Sequence, residues 1–146
     1  MTALDTAWQG ALAAEHEAVF AYGLIGPRLA SAELAAACEA EHEALRDATT
    51  AAIAAAGLDP VAPASDYPRL YPVPNAKAAQ EVAARAEDDC ATAWRYLYLV
   101  AASTPGAAAQ QLRGTAQDAL NASAVRAVRW RVRITPKHAT RPFPGV

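Results

Sequence analysis

The segment between Gly57 and Ala76, GLDPVAPASDYPRLYPVPNA, constrains the fold more than any other part of the chain. Its five prolines exclude a continuous helix and favour an extended, polyproline-like conformation. About 20 extended residues at ~3.1 Å each reach roughly 60 Å, which exceeds the ~39 Å length of a helix of about 26 residues. The segment can therefore run the full length of a helical bundle, which would allow the helices on either side of it to be parallel.

The rest of the chain is rich in alanine and poor in strand-forming residues, which favours long helices. We predict a single domain over 1–146, with helices at about 3–28, 32–56, 76–102 and 105–133 and an extended C-terminal tail at about 134–146. Candidate N-caps are Thr2, Ser31, Asn75 and Thr104. The predicted fold is all-α: a four-helix bundle with a long proline-rich crossover between helices 2 and 3, the connectivity of ferritin-like folds.

Charge and targeting signals exclude several classes of function. A formal net charge of −2 gives no global field that would attract nucleic acid or an anionic membrane. The N-terminal sequence MTALDTAWQG lacks the regions of a signal peptide, and no long uncharged apolar run indicates a membrane span. We expect a cytoplasmic protein with no nucleic-acid or membrane partner, and the fold is compatible with a homodimer. Cys38 and Cys90 are interpreted as buried free thiols because their spacing fits neither a metal motif nor a disulfide scaffold.

The pentapeptide AEHEA occurs twice, at 14–18 and at 40–44. Core positions of a bundle helix recur in steps of four and three residues, and this phasing places Glu15, Glu41 and Glu87 on the apolar stripes of three helices. His16 and His42 then lie about 100° further round, at the edges of the stripes. Three carboxylates aimed at one interior need a cation, hydrogen-bond donors or a proton, because burying an isolated charge is costly.

Metal ions are one way to compensate these carboxylates. A dinuclear iron or manganese site in a bundle takes a Glu from each of two helices and a Glu-x-x-His pair from each of the others. Glu39 and His42 form one such pair by spacing, but the fourth helix has neither Glu nor His, so half of the ligand set is missing. The tentative metal ligands are Glu15, Glu41, His42 and Glu87, which could still hold one ion.

Fixed guanidinium groups are the alternative compensation. Arg126 faces inward on the phasing of the fourth helix, and Arg46 lies one turn after His42. We therefore predict a buried polar network that includes Tyr22, Arg46, Asp47 and Arg126. On this hypothesis no cofactor is expected, with iron or manganese as the alternative. No Gly-rich phosphate loop, nucleophile elbow or Cys-x-x-Cys pair is present, so no catalytic residue is predicted.

Several short motifs, in this order along the chain, resemble a family of actinobacterial ferritin-like domains of unknown function. They are AEHEAVFAYGLIG, His42 with Arg46-Asp47, the loop YPRLYPVPN, Glu87-Asp88, AVRAVRW and the terminal FPGV. The resemblance covers nearly the whole chain and implies a ferritin-like helical bundle. The residues that the resemblance carries over are Glu15, Tyr22, His42, Arg46, Asp47, Glu87, Trp130 and the ending Phe143-Pro144-Gly145. The family brings no established reaction.

Three functions compete on this sequence. The incomplete ligand set favours a non-catalytic binding or assembly module whose interior carries a Glu, His and Arg network, so we lean against an enzyme. The first alternative is a metal-binding protein or metal-dependent oxidoreductase that uses the tentative ligands. The second is a carrier of a small apolar ligand, since small alanine side chains leave room between helices.

Overall fold

The computed structural model describes all 146 residues, and it is all-helical with no strands. Four long helices follow one another, α1 Ala3–Ile25, α2 Glu33–Ala55, α3 Ala76–Ala102 and α4 Ala107–Ile134. Short 3₁₀ turns lie at Gly26–Arg28, Pro68–Leu70 and Pro136–His138. The predicted all-α architecture with four helices is confirmed. None of the helices combines the length and the apolar character needed to cross a membrane.

Two of the four candidate N-caps act as caps. Thr2 closes a capping box with Asp5 at the start of α1, and the Asn75 side chain accepts the Ala78 N–H at the start of α3. Ser31 does not cap α2, because α2 begins at Glu33 and its N-cap residue is Ala32. The Thr104 hydroxyl donates back to the Val100 carbonyl, so α4 starts beyond it, after Gly106 with φ +111°.

The core consists of two apolar clusters, one at each end of the bundle. One cluster joins the C-terminal halves of α1 and α4 to the N-terminal halves of α2 and α3, around Ile25 and Trp130. The other joins the opposite halves, around Leu12, Ile53 and Leu97. Hence α1 and α4 point one way while α2 and α3 point the other. The helix α3 packs closely against both α1 and α4, whereas α2 packs closely only against α1.

The proline-rich segment 56–75 is held along α1. Residues later in the segment bond to residues later in α1 and in the turn that follows it. Gln9 bonds to Asp59 and Val61, His16 to Val61, Glu17 to Arg69, and Arg28 to the Val73 carbonyl. Phe20 and Tyr67 also pack together, with ring centroids 5.1 Å apart. The segment therefore follows α1 from its N-terminal part to its C-terminal end.

The C-terminal tail folds back onto α3. Asp88 on α3 pairs with Arg131 and with Arg141, and Arg131 also donates to the Ala139 carbonyl. Gly145, at φ +79°, lies so close to α3 that an added Cβ would stand 2.7 Å from the Ala91 carbonyl oxygen. This approach requires glycine, both for the backbone conformation and for the space.

The two leucines near the end of α3 offer a matched test of the core. Leu97 is fully buried and Leu99 is 44% exposed. We expect Leu97→Ala to lower the free energy of unfolding by about 2–5 kcal/mol, because it leaves a cavity, and Leu99→Ala to lower it by less than about 1 kcal/mol. Urea denaturation of both variants measures this; equal losses would contradict the described packing of α3.

Candidate functional site

A network of charged and aromatic side chains separates the two apolar clusters. Each helix contributes at least one member, with Glu15 from α1, His42 from α2, Glu87 from α3 and Arg126 from α4. The first three are 0% exposed and Arg126 is 4% exposed. Alanines surround these positions on every helix, and the small side chains leave room for long polar ones at the bundle axis.

His42 lies between the two buried carboxylates. Its Nδ1 is 2.6 Å from Glu15 Oε2, and its Nε2 is 3.0 Å from Glu87 Oε1. A carboxylate oxygen accepts hydrogen bonds, so both ring nitrogens act as donors and the ring is an imidazolium. The second oxygen of Glu15 accepts the indole N–H of Trp94 at 2.7 Å.

Glu87 is the most heavily bonded member of the network. It accepts the Tyr22 hydroxyl at 2.5 Å and the Arg126 Nε–H at 3.0 and 3.1 Å, in addition to His42. Trp130 in turn donates to the Tyr22 hydroxyl oxygen at 2.8 Å, which fixes the orientation of the phenol. No buried side-chain nitrogen or oxygen lacks a hydrogen-bond partner.

Arg126 connects the network to the surface. Its Nη1 lies 2.7 Å from Glu41, whose side chain is 55% exposed, and its Nη2 donates to Ser123 at 3.2 Å. The guanidinium therefore bridges α2, α3 and α4. This ion pair is the polar bridge between α2 and α4, which do not otherwise pack closely.

Charge balance explains how so many ionisable groups are tolerated in the interior. Burial by itself would lower the pKa of His42, but the hydrogen bonds from its ring to Glu15 and Glu87 and the charges of those carboxylates raise that pKa to about 9. The pKa of Arg126 is raised in the same way by Glu87 and Glu41, against the opposing effect of burial. At neutral pH two cations therefore offset the two fully buried carboxylates.

Comparisons with known proteins place the chain in a family. The family model described as Domain of unknown function (DUF4439) matches residues 7–146. The chain belongs to this family. Among solved structures, the crystal structure of a conserved hypothetical protein, rv2844, from Mycobacterium tuberculosis is similar, with a TM-score of 0.80 and 31% sequence identity. The match covers 90% of this chain and 96% of that one. The comparison with curated proteins gives no match.

In this DUF4439 member, two of the four residues predicted for the polar network join the interior and two do not. Tyr22 and Arg126 join Glu15, His42 and Glu87 in the interior. Arg46 and Asp47 instead pair with each other at the surface, at 2.8 Å, and do not reach the network. His16, in the first AEHEA copy, bonds to the Val61 carbonyl of the connector.

The phasing predicted for α2 is wrong by one residue. The residues of α2 that face the core are Ala35, Cys38, His42, Thr49 and Ile53, so His42 lies inside and Glu41 at the rim. In this alanine-rich helix the buried and exposed faces differ little in hydrophobicity. The prediction placed Leu34 and Leu45 at the centre of the apolar stripe, whereas both are only half-buried and lie beside it. Sequence reasoning also did not assign Trp94 and Trp130 as donors, although both lie on apolar stripes and a buried indole N–H usually finds an acceptor.

The ligand set does not fit the dinuclear metal site of catalytic ferritin-like proteins. That site requires a carboxylate and an imidazole from the fourth helix, where this chain supplies Arg126. A guanidinium cannot ligate a metal, and it occupies both oxygens of Glu87. Of the tentative ligands, Glu15, His42 and Glu87 are in mutual contact, while Glu41 is held by Arg126 at the rim.

The buried imidazolium predicts a pH dependence of stability. The pKa of His42 is about 9 in the folded protein and 6.5 in its unperturbed state. Its contribution, about 3 kcal/mol, is therefore fully present below about pH 6.5 and is lost as the pH rises through 9. Urea unfolding from pH 6 to 10 should show this decline in the free energy of unfolding. The His42→Gln variant should lack the part of the decline that begins at about pH 6.5.

The upper part of the same pH profile has a second source. Burial raises the pKa of the Cys38 and Cys90 thiols and of the Tyr22 phenol, so these groups also destabilise the fold at high pH. Their effect begins above about pH 8.5 and should persist in His42→Gln. A flat wild-type profile between pH 6.5 and 8.5 would contradict a charged His42.

The role of Arg126 as an internal counterion is tested by removing its charge. Arg126→Met leaves Glu87 buried beside a single cation, so we expect a loss of about 3–5 kcal/mol in the free energy of unfolding at neutral pH. Arg129→Met is the matched control, because Arg129 is exposed on the same helix and should change stability by less than about 0.5 kcal/mol. Similar melting curves for the two variants would show that Arg126 does not compensate Glu87.

Proposed function

We propose that this protein is a ferritin-like helical bundle that acts as a non-catalytic binding module. The ferritin-like topology is supported by the helix directions and by the proline-rich segment, which follows α1 from the end of α2 to the start of α3. A crossover of this kind lets α2 and α3 run parallel. The mycobacterial source of the similar crystal structure supports an actinobacterial family.

The buried network supports a structural role for its own charges. Glu15, His42 and Glu87 are completely shielded from solvent, and each already bonds to protein donors or acceptors. A substrate larger than a single ion could not approach these atoms without displacing the network. We infer that the network holds four helices in one register, since each helix contributes a group that only the others satisfy.

The observation that carries the binding function is a groove between α2 and α4. It has a volume of about 460 Å³ and lies where the C-terminal half of α2 passes the N-terminal half of α4. Eight of its eleven lining residues are apolar and none is charged. Trp8 from α1, Leu45 from α2 and Leu112 from α4 supply the large side chains, while alanines of α2 such as Ala52 form an open wall.

The lining of this groove defines the class of ligand. Its volume falls in the range of small-molecule sites, about 300–1,000 Å³. Thr49, Gln111 and Thr115 place a few uncharged hydrogen-bonding groups against the apolar wall. We infer a small, uncharged and mainly apolar ligand with one or two polar atoms. This groove favours the apolar-ligand alternative over the iron or manganese oxidoreductase. A homodimer, a cytoplasmic location and the absence of nucleic-acid partners stay predictions.

Filling the groove tests the proposal. Wild-type protein should bind the uncharged fluorescent probe N-phenyl-1-naphthylamine, with enhanced emission, because the probe is apolar and of suitable size. Ala52→Phe fills the groove and should weaken probe binding at least tenfold, about 1.4 kcal/mol. Fluorescence titration of both proteins gives the dissociation constants.

A neighbouring residue provides the control for that experiment. Ala51 is exposed on the same helix turn but does not line the groove. Ala51→Phe adds the same apolar ring to α2 and should bind the probe as the wild type does. No probe binding by the wild type, or equal losses in both variants, would overturn the groove as a binding site.

A further inference from the structure

Cys90 brings a third kind of metal-binding atom to the edge of the network. Its Sγ, one ligand atom of Glu15 and one ring nitrogen of His42 all lie within 4.8 Å of one another. Glu15 and His42 are 0% exposed and Cys90 is 1% exposed. The thiol donates to the Ala14 carbonyl oxygen at 3.5 Å and takes no part in a disulfide.

The surrounding hydrogen bonds orient two of these ligands. Trp94 bonds to Glu15 Oε1, which leaves Oε2 pointing at His42. Glu87 accepts from His42 Nε2, which leaves Nδ1 on the side of Glu15. A carboxylate that accepts from one imidazole nitrogen while the other nitrogen binds a metal is a recurring arrangement around zinc.

We propose that Glu15, His42 and Cys90 bind one thiophilic divalent cation of the zinc class. Thiolate and imidazole ligands select such ions over Mg²⁺ or Ca²⁺. The site differs from the dinuclear carboxylate centre in its ligands and in its single ion. It uses neither Glu41 nor a residue of α4, so Arg126 can remain paired with Glu87.

Binding exchanges protons for metal without changing the buried charge. One proton leaves the His42 imidazolium and one leaves the Cys90 thiol as the divalent cation enters. The two charges of the cation therefore replace the charges of the two protons. Burial and the two nearby carboxylates raise the pKa of the Cys90 thiol, which keeps it neutral until a cation is present. The balance between Glu87 and Arg126 is untouched by this exchange.

Binding an ion requires the three ligand side chains to rearrange by about 1 Å. Zinc bonds sulfur at about 2.3 Å and nitrogen or oxygen at about 2.0–2.2 Å, so tetrahedral ligand atoms lie about 3.3–3.7 Å apart. Glu15 Oε2, which lies 2.6 Å from His42 Nδ1, must therefore move about 1 Å away from that nitrogen, while the Cys90 side chain must move by about 1 Å toward it. The Ala14 carbonyl oxygen lies 3.5 Å from Cys90 Sγ and is the oxygen to which the thiol donates before it is deprotonated.

Cobalt(II) is the probe, because a thiolate ligand gives it a distinctive charge-transfer band in the near ultraviolet. Reduced, untagged full-length protein is titrated with Co(II), both in the native state and during refolding, and Zn(II) is then added. We expect one Co(II) per chain, the thiolate band, and loss of that band as Zn(II) displaces the cobalt. Circular dichroism confirms that every sample is folded.

The second buried cysteine supplies the matched control. Cys38 is also 1% exposed but lies on α2 outside this ligand set. Cys38→Ser should retain the band, whereas Cys90→Ser should lose it and bind Co(II) at least about tenfold more weakly. The proposal is overturned if the wild type shows no band under either loading condition, or if the band survives Cys90→Ser. Because the groove lies elsewhere, probe binding there is an independent result.

Discussion

The contact between the His42 imidazolium and the two carboxylates on either side of it is the constraint on which the rest of the structure depends. Glu15 and Glu87 are completely buried, and neither could remain charged there without a cation within hydrogen-bonding distance. Arg126 completes the balance from the fourth helix. Each helix thus supplies one charged group whose partner of opposite charge lies on another helix. The network joins two apolar clusters that would otherwise meet through small alanine side chains, and it specifies how the helices are aligned along the bundle.

The same arrangement explains why the interior is poorly suited to dinuclear metal chemistry. Where a catalytic ferritin-like bundle needs ligands from its fourth helix, this chain places a guanidinium that fills both oxygens of Glu87. The open side of the bundle is a different region. There α2 and α4 are joined mainly by the ion pair of Arg126 with Glu41, and the apolar groove lies beyond it.

Most of the fold could be predicted from the sequence, whereas only part of the site could. Alanine-rich segments and proline-rich breaks define the four helices, because helix propensity and proline geometry act locally. The inward positions of Glu15, Glu87 and Arg126 followed from a large apolar residue on the same stripe of each helix, which is Trp8, Trp94 and Trp130 respectively. On α2 the hydrophobic pattern predicted the wrong buried face, because alanines surround both Glu41 and His42. A shift of one residue along a helix rotates its buried face by about 100°. Arg46 and Asp47 were misplaced with the same helix.

The sequence by itself determined that the chain forms four helices, that a long extended segment separates the second from the third, and that buried acids require compensation. These properties depend on local backbone preferences and on the cost of burying charge, which hold in any packing arrangement. Only the tertiary structure decided which cation meets which acid. The rotation of α2 about its own axis is set by contacts with α1 and with the network, and that rotation placed His42 between Glu15 and Glu87 and left Glu41 at the rim. The groove has the same origin, since it exists because α2 does not pack closely against α4.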